Sequence, residues 1–550
     1  MTETPVKTSA FAGSYRRVAE ATGTYAEWRY MGFLLLLLGI MFLGNTSYVE
    51  LEGGDETRVA GISRMMLETH ESWLPKLNGK LFLEYPPLYY QLQVMSFKAF
   101  GVNDFAARLP SALAAAAGAC LIYFLIRSMK YSPFTAFLSG IILASSSQYF
   151  GTGMTATVDT LLAMFCIMAW CGFYAWGVKE QRKRRPLSFL VLVIGFSGAI
   201  MTKNLTGIMY ILSGIGVFMV VDDCIKRNFR IERYVMLFFA LLLALLIPAA
   251  YGWLLYRSAG IEALKTMFIY NNFGRFSGIN PDHSEPFYYY FIKLPGLFQP
   301  WLVFLLLALW FHGKRVWKKH SSDSLYMLSI LLVPLLLLSC SAAKRQVYLL
   351  PLYAPATLLT GAMIGMFAEG KIVQFSQWVN DMIMRVSFYV IFALGLIVPI
   401  TFVVLGVWLE LPGWGRYWAA ALMIVMTFRV WQLAKPRREA KLLVYLALIF
   451  ALIYPNISGI GLSYQSRKNS LRGLFAEAAE RDDMVVLIAP RESVAGAANY
   501  YMGTYVPEAA TAAEVEAGDT AVFMSKQPPP DGEWANLMKF CDKYYVGTKK

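Results

Sequence analysis

The sequence predicts an all-α polytopic membrane protein with a small extracytoplasmic α/β domain after its last span. Three observations predict it. Apolar runs of bilayer-crossing length recur through most of the 550 residues, and a helix needs about 20 such residues to cross the hydrocarbon core. Hydrophobic residues make up 57% of the chain and charged ones only 16%, against about 25% charged in soluble domains. After residue 463 the long runs stop, and apolar stretches of strand length take over. A disordered chain, a disulfide scaffold and an ordinary cytosolic enzyme are excluded. Of the six cysteines, Cys120, Cys166, Cys171 and Cys340 lie inside apolar runs, and only Cys224 and Cys541 lie outside them. With no CxxC and at most one thiol per soluble compartment, no structural disulfide is expected.

Residues 1–31 form a polar cytoplasmic segment. The first apolar run, Gly32 to Tyr48, follows Arg16, Arg17 and Arg29 without a small-residue cleavage site, which marks a retained anchor. Further spans are expected at 105–126, 134–150, 155–178, 187–202, 204–221, 234–256, 298–311, 324–340, 346–366, 386–409, 415–432 and 442–463, thirteen in all within 32–463. Charge sets their direction. With residue 1 in the cytoplasm, the cytoplasmic segments hold 25 Lys and Arg against 11 acids. The first outside loop, 49–104, holds 5 against 8, and the tail from 464 holds 10 against 12. This is the positive-inside bias, and an odd number of spans puts the C-terminus outside. The net charge of +14 therefore mostly records topology, not an affinity for nucleic acid.

Three outside segments are large. In 49–104, Val59, Ile62, Met66 and Trp73 predict a short amphipathic helix lying along the membrane surface. Segment 257–297 is rich in aromatic and polar residues. In the domain 464–550, Met484–Ala489 and Ala521–Ser525 read as buried strands and Leu471–Arg481 as a helix. No complete GxxxxGK[ST] phosphate loop occurs, since Ile372 follows the one GxxxxGK match at 365–371, which fits working parts that face away from ATP and nucleotide sugars.

The candidate chemistry lies on the outer side. Gly53-Gly54-Asp55-Glu56-Thr57-Arg58 puts two carboxylates and an arginine where the chain leaves the first span. A carboxylate there can take a proton from an acceptor hydroxyl, with Arg58 on a phosphate; an acidic first turn stabilised by its helix dipole is the plainer alternative. Leu81 to Tyr90 sets Glu84 among tyrosines and two stiffening prolines, Pro86 and Pro87; an interfacial aromatic belt has the same composition. Asp159, near the outer end of the fourth span, is either functional, as acids in membrane segments are by default, or a helix cap. Lys203 sits in a hairpin too short for a loop and either serves a site or snorkels.

The sharpest signal is Lys344-Arg345, followed by Gln346 to Tyr353. Two cations in a short outside turn run against the charge rule and require an anion, for which a lipid phosphate is available. That phosphate belongs either to a substrate or to a structural lipid. Segment 257–297 adds Asn271, Asn272, Arg275, His283 and Glu285. His283 paired with Glu84 makes half a metal site.

Taken in order, these pieces resemble the GT-C class of polyprenyl-phosphate-dependent glycosyltransferases. Within that class they are similar to the bacterial aminoarabinose (4-amino-4-deoxy-L-arabinose) transferase and protein O-mannosyltransferase-like family. The residues that carry the likeness are Gly54-Asp55-Glu56-Thr57-Arg58, Glu84-Tyr85-Pro86-Pro87-Leu88-Tyr89-Tyr90, Asp159, Thr202-Lys203, Arg275-Phe276-Ser277-Gly278 and Lys344-Arg345 through Pro351. The resemblance implies a multi-pass enzyme of the plasma (bacterial inner) membrane. It would move a sugar, in one inverting step, from a polyprenyl-phosphate donor to a hydroxyl or phosphate of an extracytoplasmic acceptor: lipid A, a glycan or a protein.

In the roles so implied, Asp55 is the general base, with Glu56 beside it and Asp159 as a second acid. Arg58, Tyr85, Lys203, Arg275, Lys344, Arg345 and Tyr348 would bind the departing donor phosphate. Preorganised cations stabilise that growing charge most where water is excluded. Glu84 and His283 match positions that hold a divalent, zinc-like metal ion in the aminoarabinose branch. Tyr85 stands where the family often has lysine. It donates a hydrogen bond but no charge, which favours a relative with another donor or acceptor. The expected partners are the lipid-linked donor, the acceptor and membrane lipids, with no nucleic acid. A transporter or flippase of a polyprenyl-linked lipid is the alternative class. It predicts ionisable residues near span midpoints, whereas these gather at outer ends.

Overall fold

Helices form where the apolar runs lie, and the polar residues between the runs supply their caps. The structure, a computed structural model, describes residues 23–44, 50–51, 54–71, 73–178, 185–277, 284–369, 470–481, 484–524, 532–540 and 544–550, with isolated helical positions between 393 and 432. The helix α1 (Gly23–Leu43) starts ahead of the first apolar run. In the first outside loop follow α2 (Asp55–Glu68), the hairpin β1 (Lys76–Leu77) and β2 (Lys80–Leu81), and α3 (Leu88–Phe100). Asn103 caps α4 (Asp104–Ser128), accepting from the Ala106 N–H at 2.9 Å, the bond expected of asparagine at this position. Ser132 caps α5 (Pro133–Ala144), whose first residue is proline, where the missing N–H costs nothing.

Next come α6 (Ser147–Gly153), α7 (Asp159–Phe173), α8 (Arg185–Lys203), α9 (Leu205–Lys226), α10 (Ile231–Ala244) and α11 (Leu246–Lys265). The described membrane part closes with α12 (Tyr289–Leu297), α13 (Leu302–Lys319), α14 (Ser322–Cys340) and α15 (Tyr353–Ala368). Among the described residues, seven helical stretches are long and apolar enough to cross a membrane. There are eight if α12 and α13, which meet at a 117° bend, count as one broken span. Leu34, Phe42, Phe137, Trp170, Tyr326 and Leu358 lie at the centre of their shared core.

The helical, polytopic architecture agrees with the expectation, and two local features differ from it. The expected span 134–150 divides at Ser145 and Ser146 into α5 and α6. The expected loop from 257 is instead helical to Lys265, kinked at Gly260, whose φ of 78° glycine adopts without strain. It then widens into a π-helical stretch, Thr266–Gly274. The expected spans 386–409, 415–432 and 442–463 lie outside the described residues, apart from the isolated positions already given.

Residues beyond 470 form α16 (Arg472–Glu480), β3 (Val485–Ile488), α17 (Glu492–Met502), β4 (Glu508–Ala509), β5 (Thr520–Met524), β6 (Trp534–Phe540) and β7 (Tyr544–Lys549). The sheet order is β4-β3-β5-β7-β6. Strand β3 runs parallel to β4 and β5, and β7 runs antiparallel to β5 and β6.

This unit packs directly on the first outside loop. Val59, Ile62 and Met66 share one core with Phe82, Tyr85, Tyr89 and Tyr90 from the loop and Phe475, Val494, Ala495 and Ala498 from the C-terminal unit. The helix expected to lie on the membrane surface therefore lies under α17, because its apolar stripe meets a complementary protein face; Trp73, beyond the helix, is exposed. The approach is close. A Cβ on Gly61 would stand 2.1 Å from the Gly496 carbonyl oxygen, and one on Gly496 would stand 2.4 Å from Arg58 Cα. Asn78 and Asn499 lock the contact: the Asn78 N–H donates to Asn499 Oδ1 at 2.8 Å, and Asn499 Nδ2 donates back to Asn78 Oδ1 at 3.1 Å.

Candidate active site

The first turn of α2, the α8–α9 junction and the turn after α14 bring the expected residues together. Thr57 closes the first turn: its hydroxyl accepts from the Gly54 N–H at 3.3 Å and donates to the Ser493 carbonyl of α17 at 3.1 Å. That fixes Asp55 at the start of the helix. Arg58, one turn on, donates to Asp55 Oδ1 at 2.9 Å, and Arg345 donates to Asp55 Oδ2 at 2.7 Å. The Asp55 side chain remains 39% exposed. Its partial burial pushes the carboxyl pKa up, but the Arg58 and Arg345 guanidinium groups, aided by Lys203, hold it below the ordinary value.

Arg58 is the hub of the cluster. Its other terminal nitrogen lies 3.3 Å from Glu84 Oε2 and 2.6 Å from Glu492 Oε2 of α17, and its guanidinium sits 5.4 Å from the Phe82 ring centroid. Burial disfavours the charge on both arginines, yet Glu84 and Asp55 at Arg58, and Asp55 at Arg345, hold them more firmly protonated than free arginine.

Lys203, the last residue of α8, forms a buried ion pair with Asp159, the first residue of α7. Its ammonium also lies 4.8 Å from the Tyr348 ring centroid and 5.4 Å from that of Tyr85, within cation–π range. Capping for Asp159 and snorkelling for Lys203 do not describe this arrangement. Tyr85 is buried, which with the neighbouring Glu84 outweighs the pull of Lys203 and pushes its pKa up to about 12. It keeps its proton and can donate it.

Two expected residues point elsewhere. Glu56 is buried and takes a bidentate pair of bonds from Arg108, both 2.9 Å, plus the Ala156 N–H at 2.7 Å. It joins α2, α4 and the segment before α7, and is not turned to the open site. Lys344 donates to the carbonyls of Glu285, at 2.6 Å, and Ser341. It pins the turn after α14, where Ala342 also bonds Phe276 at 3.1 Å and Ser284 pairs with Ala343. Burial lowers the Lys344 pKa. The Arg275 side chain and His283 lie outside the described residues. Among the described residues no group of three His, Cys, Asp or Glu is placed to hold a metal ion, and Glu84 turns its carboxylate to Arg58.

Beside Glu84 opens a cavity of about 400 Å³. Glu84, Tyr85, Lys203, Asn204 and Tyr348 form its polar wall, and Leu205, Met209, Phe276, Leu337 and Leu338 form an apolar one. Asn204 is the single residue between α8 and α9, at φ 52° and ψ −138°, a strained conformation for any residue but glycine. Its Nδ2 donates to the carbonyls of Glu84 and Met267, each at 3.3 Å, which fixes the amide orientation; the buried Oδ1 has no donor among the described residues. Sequence reasoning missed Arg108, Asn204 and Glu492. Arg108 reads as an interfacial cation, and Glu492 lies far along the chain with no motif around it. Only the adjacency of Asn204 to Lys203 was a usable signal.

Three comparisons with known proteins find likenesses of the kind the motifs carry. The model of the dolichyl-phosphate-mannose-protein mannosyltransferase family matches residues 84–253. The undecaprenyl phosphate-alpha-4-amino-4-deoxy-L-arabinose arabinosyl transferase of Enterobacter sp. (strain 638) is 26% identical over 356 residues, 63% of this chain and 62% of that protein. Its namesake from Erwinia tasmaniensis is 28% identical over 333 residues, 60% of this chain and 58% of that protein. The chain thus spans about three fifths of the length of these relatives. The crystal structures of ArnT from Cupriavidus metallidurans, bound to undecaprenyl phosphate and in the apo state, match with TM-scores of 0.73 and 0.72. They cover 94% of this chain and 98% of theirs at 16% and 17% identity, a likeness that establishes the fold.

Proposed function

We propose that this protein is an integral-membrane glycosyltransferase that moves a sugar from a polyprenyl-phosphate donor to a hydroxyl or phosphate of an extracytoplasmic acceptor. One observation carries the reading. An ionised, solvent-reached carboxylate, Asp55, is gripped by arginines from two separate segments, one of which also pairs with Glu84 of a largely apolar cavity that Lys203 lines. The apolar wall suits a prenyl chain, and Lys203 between its two tyrosine rings suits the phosphate. The curated relatives are named for a donor of this class, and one ArnT crystal structure holds undecaprenyl phosphate. The positive-inside bias supports an inner-membrane orientation with the N-terminus cytoplasmic and the site outside.

In the reaction, Asp55 takes the proton of the acceptor hydroxyl. The acceptor oxygen bonds to the anomeric carbon from the face opposite the phosphate, and the carbon–oxygen bond to the phosphate breaks. The bonding electron pair leaves on the polyprenyl phosphate, whose added charge meets Lys203, Arg58 and Arg345. As the phosphate draws an arginine away from Asp55, the carboxylate loses a cation and becomes the stronger base the step requires.

Proteoliposomes holding a labelled polyprenyl-phosphate sugar and an acceptor lipid test this. Asp55→Asn is expected to lower transfer by about 10²- to 10⁴-fold, with folding and donor binding kept. Unchanged transfer in that variant removes Asp55 as the base, and donor flipping without transfer moves the protein to the flippase class.

A further inference from the structure

The C-terminal unit contributes more to this site than a cover. Glu492, the first residue of α17, places its carboxylate 2.6 Å from the Arg58 nitrogen that also faces Glu84. The other Arg58 terminal nitrogen holds Asp55. One guanidinium is thus shared among carboxylates from α2, from the segment before α3, and from a helix 434 positions away in the chain. The backbone around the contact is fixed independently. Gly496 lies against Arg58 Cα, and the Ser493 carbonyl accepts from Thr57, so Glu492 and Arg58 are presented to each other by two rigid helix ends. Glu492 is 60% exposed and faces the open side of the cluster. A group so exposed adds little to stability by pairing alone; its geometric effect on a buried partner is the larger one.

We propose that Glu492 is a positioning residue of the active site, fixing the Arg58 guanidinium and, through it, the Asp55 carboxylate. The C-terminal unit is on this view part of the catalytic framework. Without Glu492, Arg58 has Glu84 as the only remaining competitor for that nitrogen among the described residues, and it swings toward Glu84 and away from Asp55. Misplacement of a reacting group by about 1 Å costs on the order of 10²-fold in rate. The proposal rests on the reading of Asp55 as base.

The test uses the full-length protein in proteoliposomes with a polyprenyl-phosphate sugar. Glu492→Ala is expected to lower kcat roughly 10- to 100-fold, with the KM for donor within about twofold of the original and an unchanged unfolding temperature. Glu492→Gln, which keeps an oxygen toward Arg58, is expected to recover part of the loss. In an Arg58→Lys background the alanine change is expected to add little further loss, because residues acting through one another are not additive. A Glu492→Ala protein with the original kcat overturns the proposal. So does a loss confined to the amount of folded protein, or one that adds fully to Arg58→Lys. Asp55→Asn measured alongside separates the two readings: full activity there sinks the base assignment, whereas its loss together with an unaffected Glu492→Ala sinks only the positioning role.

Discussion

A carboxylate bound by two guanidinium groups is well ionised but poorly basic, and that tension defines Asp55 at the residue scale. With Asp55 as the proposed base, its lowered pKa means that kcat/KM is expected to hold at neutral pH and to fall only as the pH drops through a carboxyl pKa below the ordinary value. The stability it contributes is likewise present above its unfolded pKa and lost as the pH falls through the lower folded one. Arg345→Gln removes one cation, raises the Asp55 pKa, and is expected to move the acid limb of kcat/KM to higher pH; a limb that stays in place assigns that titration to another group. Glu56 behaves differently although it is the next residue. Glu56→Ala strands the buried Arg108 charge, an effect of about 3–5 kcal/mol. It should appear as a lower unfolding temperature in detergent, with near-normal turnover in whatever remains folded. Adjacent acids look alike in the sequence. Only the packing distinguishes the one that meets Arg108 from the one left open to solvent.

At the scale of elements, the contact between α2 and α17 sets where Asp55 sits. Gly61→Ala drives a Cβ into the Gly496 backbone, and such overpacking costs about 1–3 kcal/mol. Reduced transfer is expected along with the lower stability, since Asp55 rides on the same helix. Gly39→Ala in α1, where nothing lies within 4 Å of the added carbon, is the control and should leave both unchanged. The long elements were legible because an apolar run of spanning length admits few alternatives. The strands β3 and β5 and the helix α16 were found for the same reason, as concentrated apolar stretches. Helix α17 was not, because Ala and Gly make up most of its buried face, a composition that allows close approach but gives little hydrophobic signal. Strand β6 presents mostly exposed residues to a reader looking for alternation.

Over the whole molecule, topology rests on charge distribution, and accessibility can test it. In a cysteine-free background, Glu516→Cys on the exposed surface of the C-terminal unit should react with a membrane-impermeant maleimide on intact spheroplasts. Lys318→Cys, at the end of α13, should react only after lysis. The reverse pattern inverts the orientation. The order of motifs along the chain pointed to residues that the fold brings near one another: Arg345 pairs with Asp55, Lys203 pairs with Asp159, and the Lys203 charge is felt at Asp55. The roles of Lys344 and Glu56 did not carry over. Each had an unanticipated partner supplied by the fold: main-chain carbonyls for the lysine and Arg108 for the acid.

The pairing of Arg58 with Glu492 also has a meaning in time. The ribosome releases the helix bearing Asp55 early and the helix bearing Glu492 late. Until the later one arrives, α2 shows a bare apolar stripe and an incompletely held arginine. A chain truncated before Glu492 is therefore expected to show less transfer and lower stability than the full-length protein. On the proposed function, transfer activity is expected only once the C-terminal unit has been made and docked.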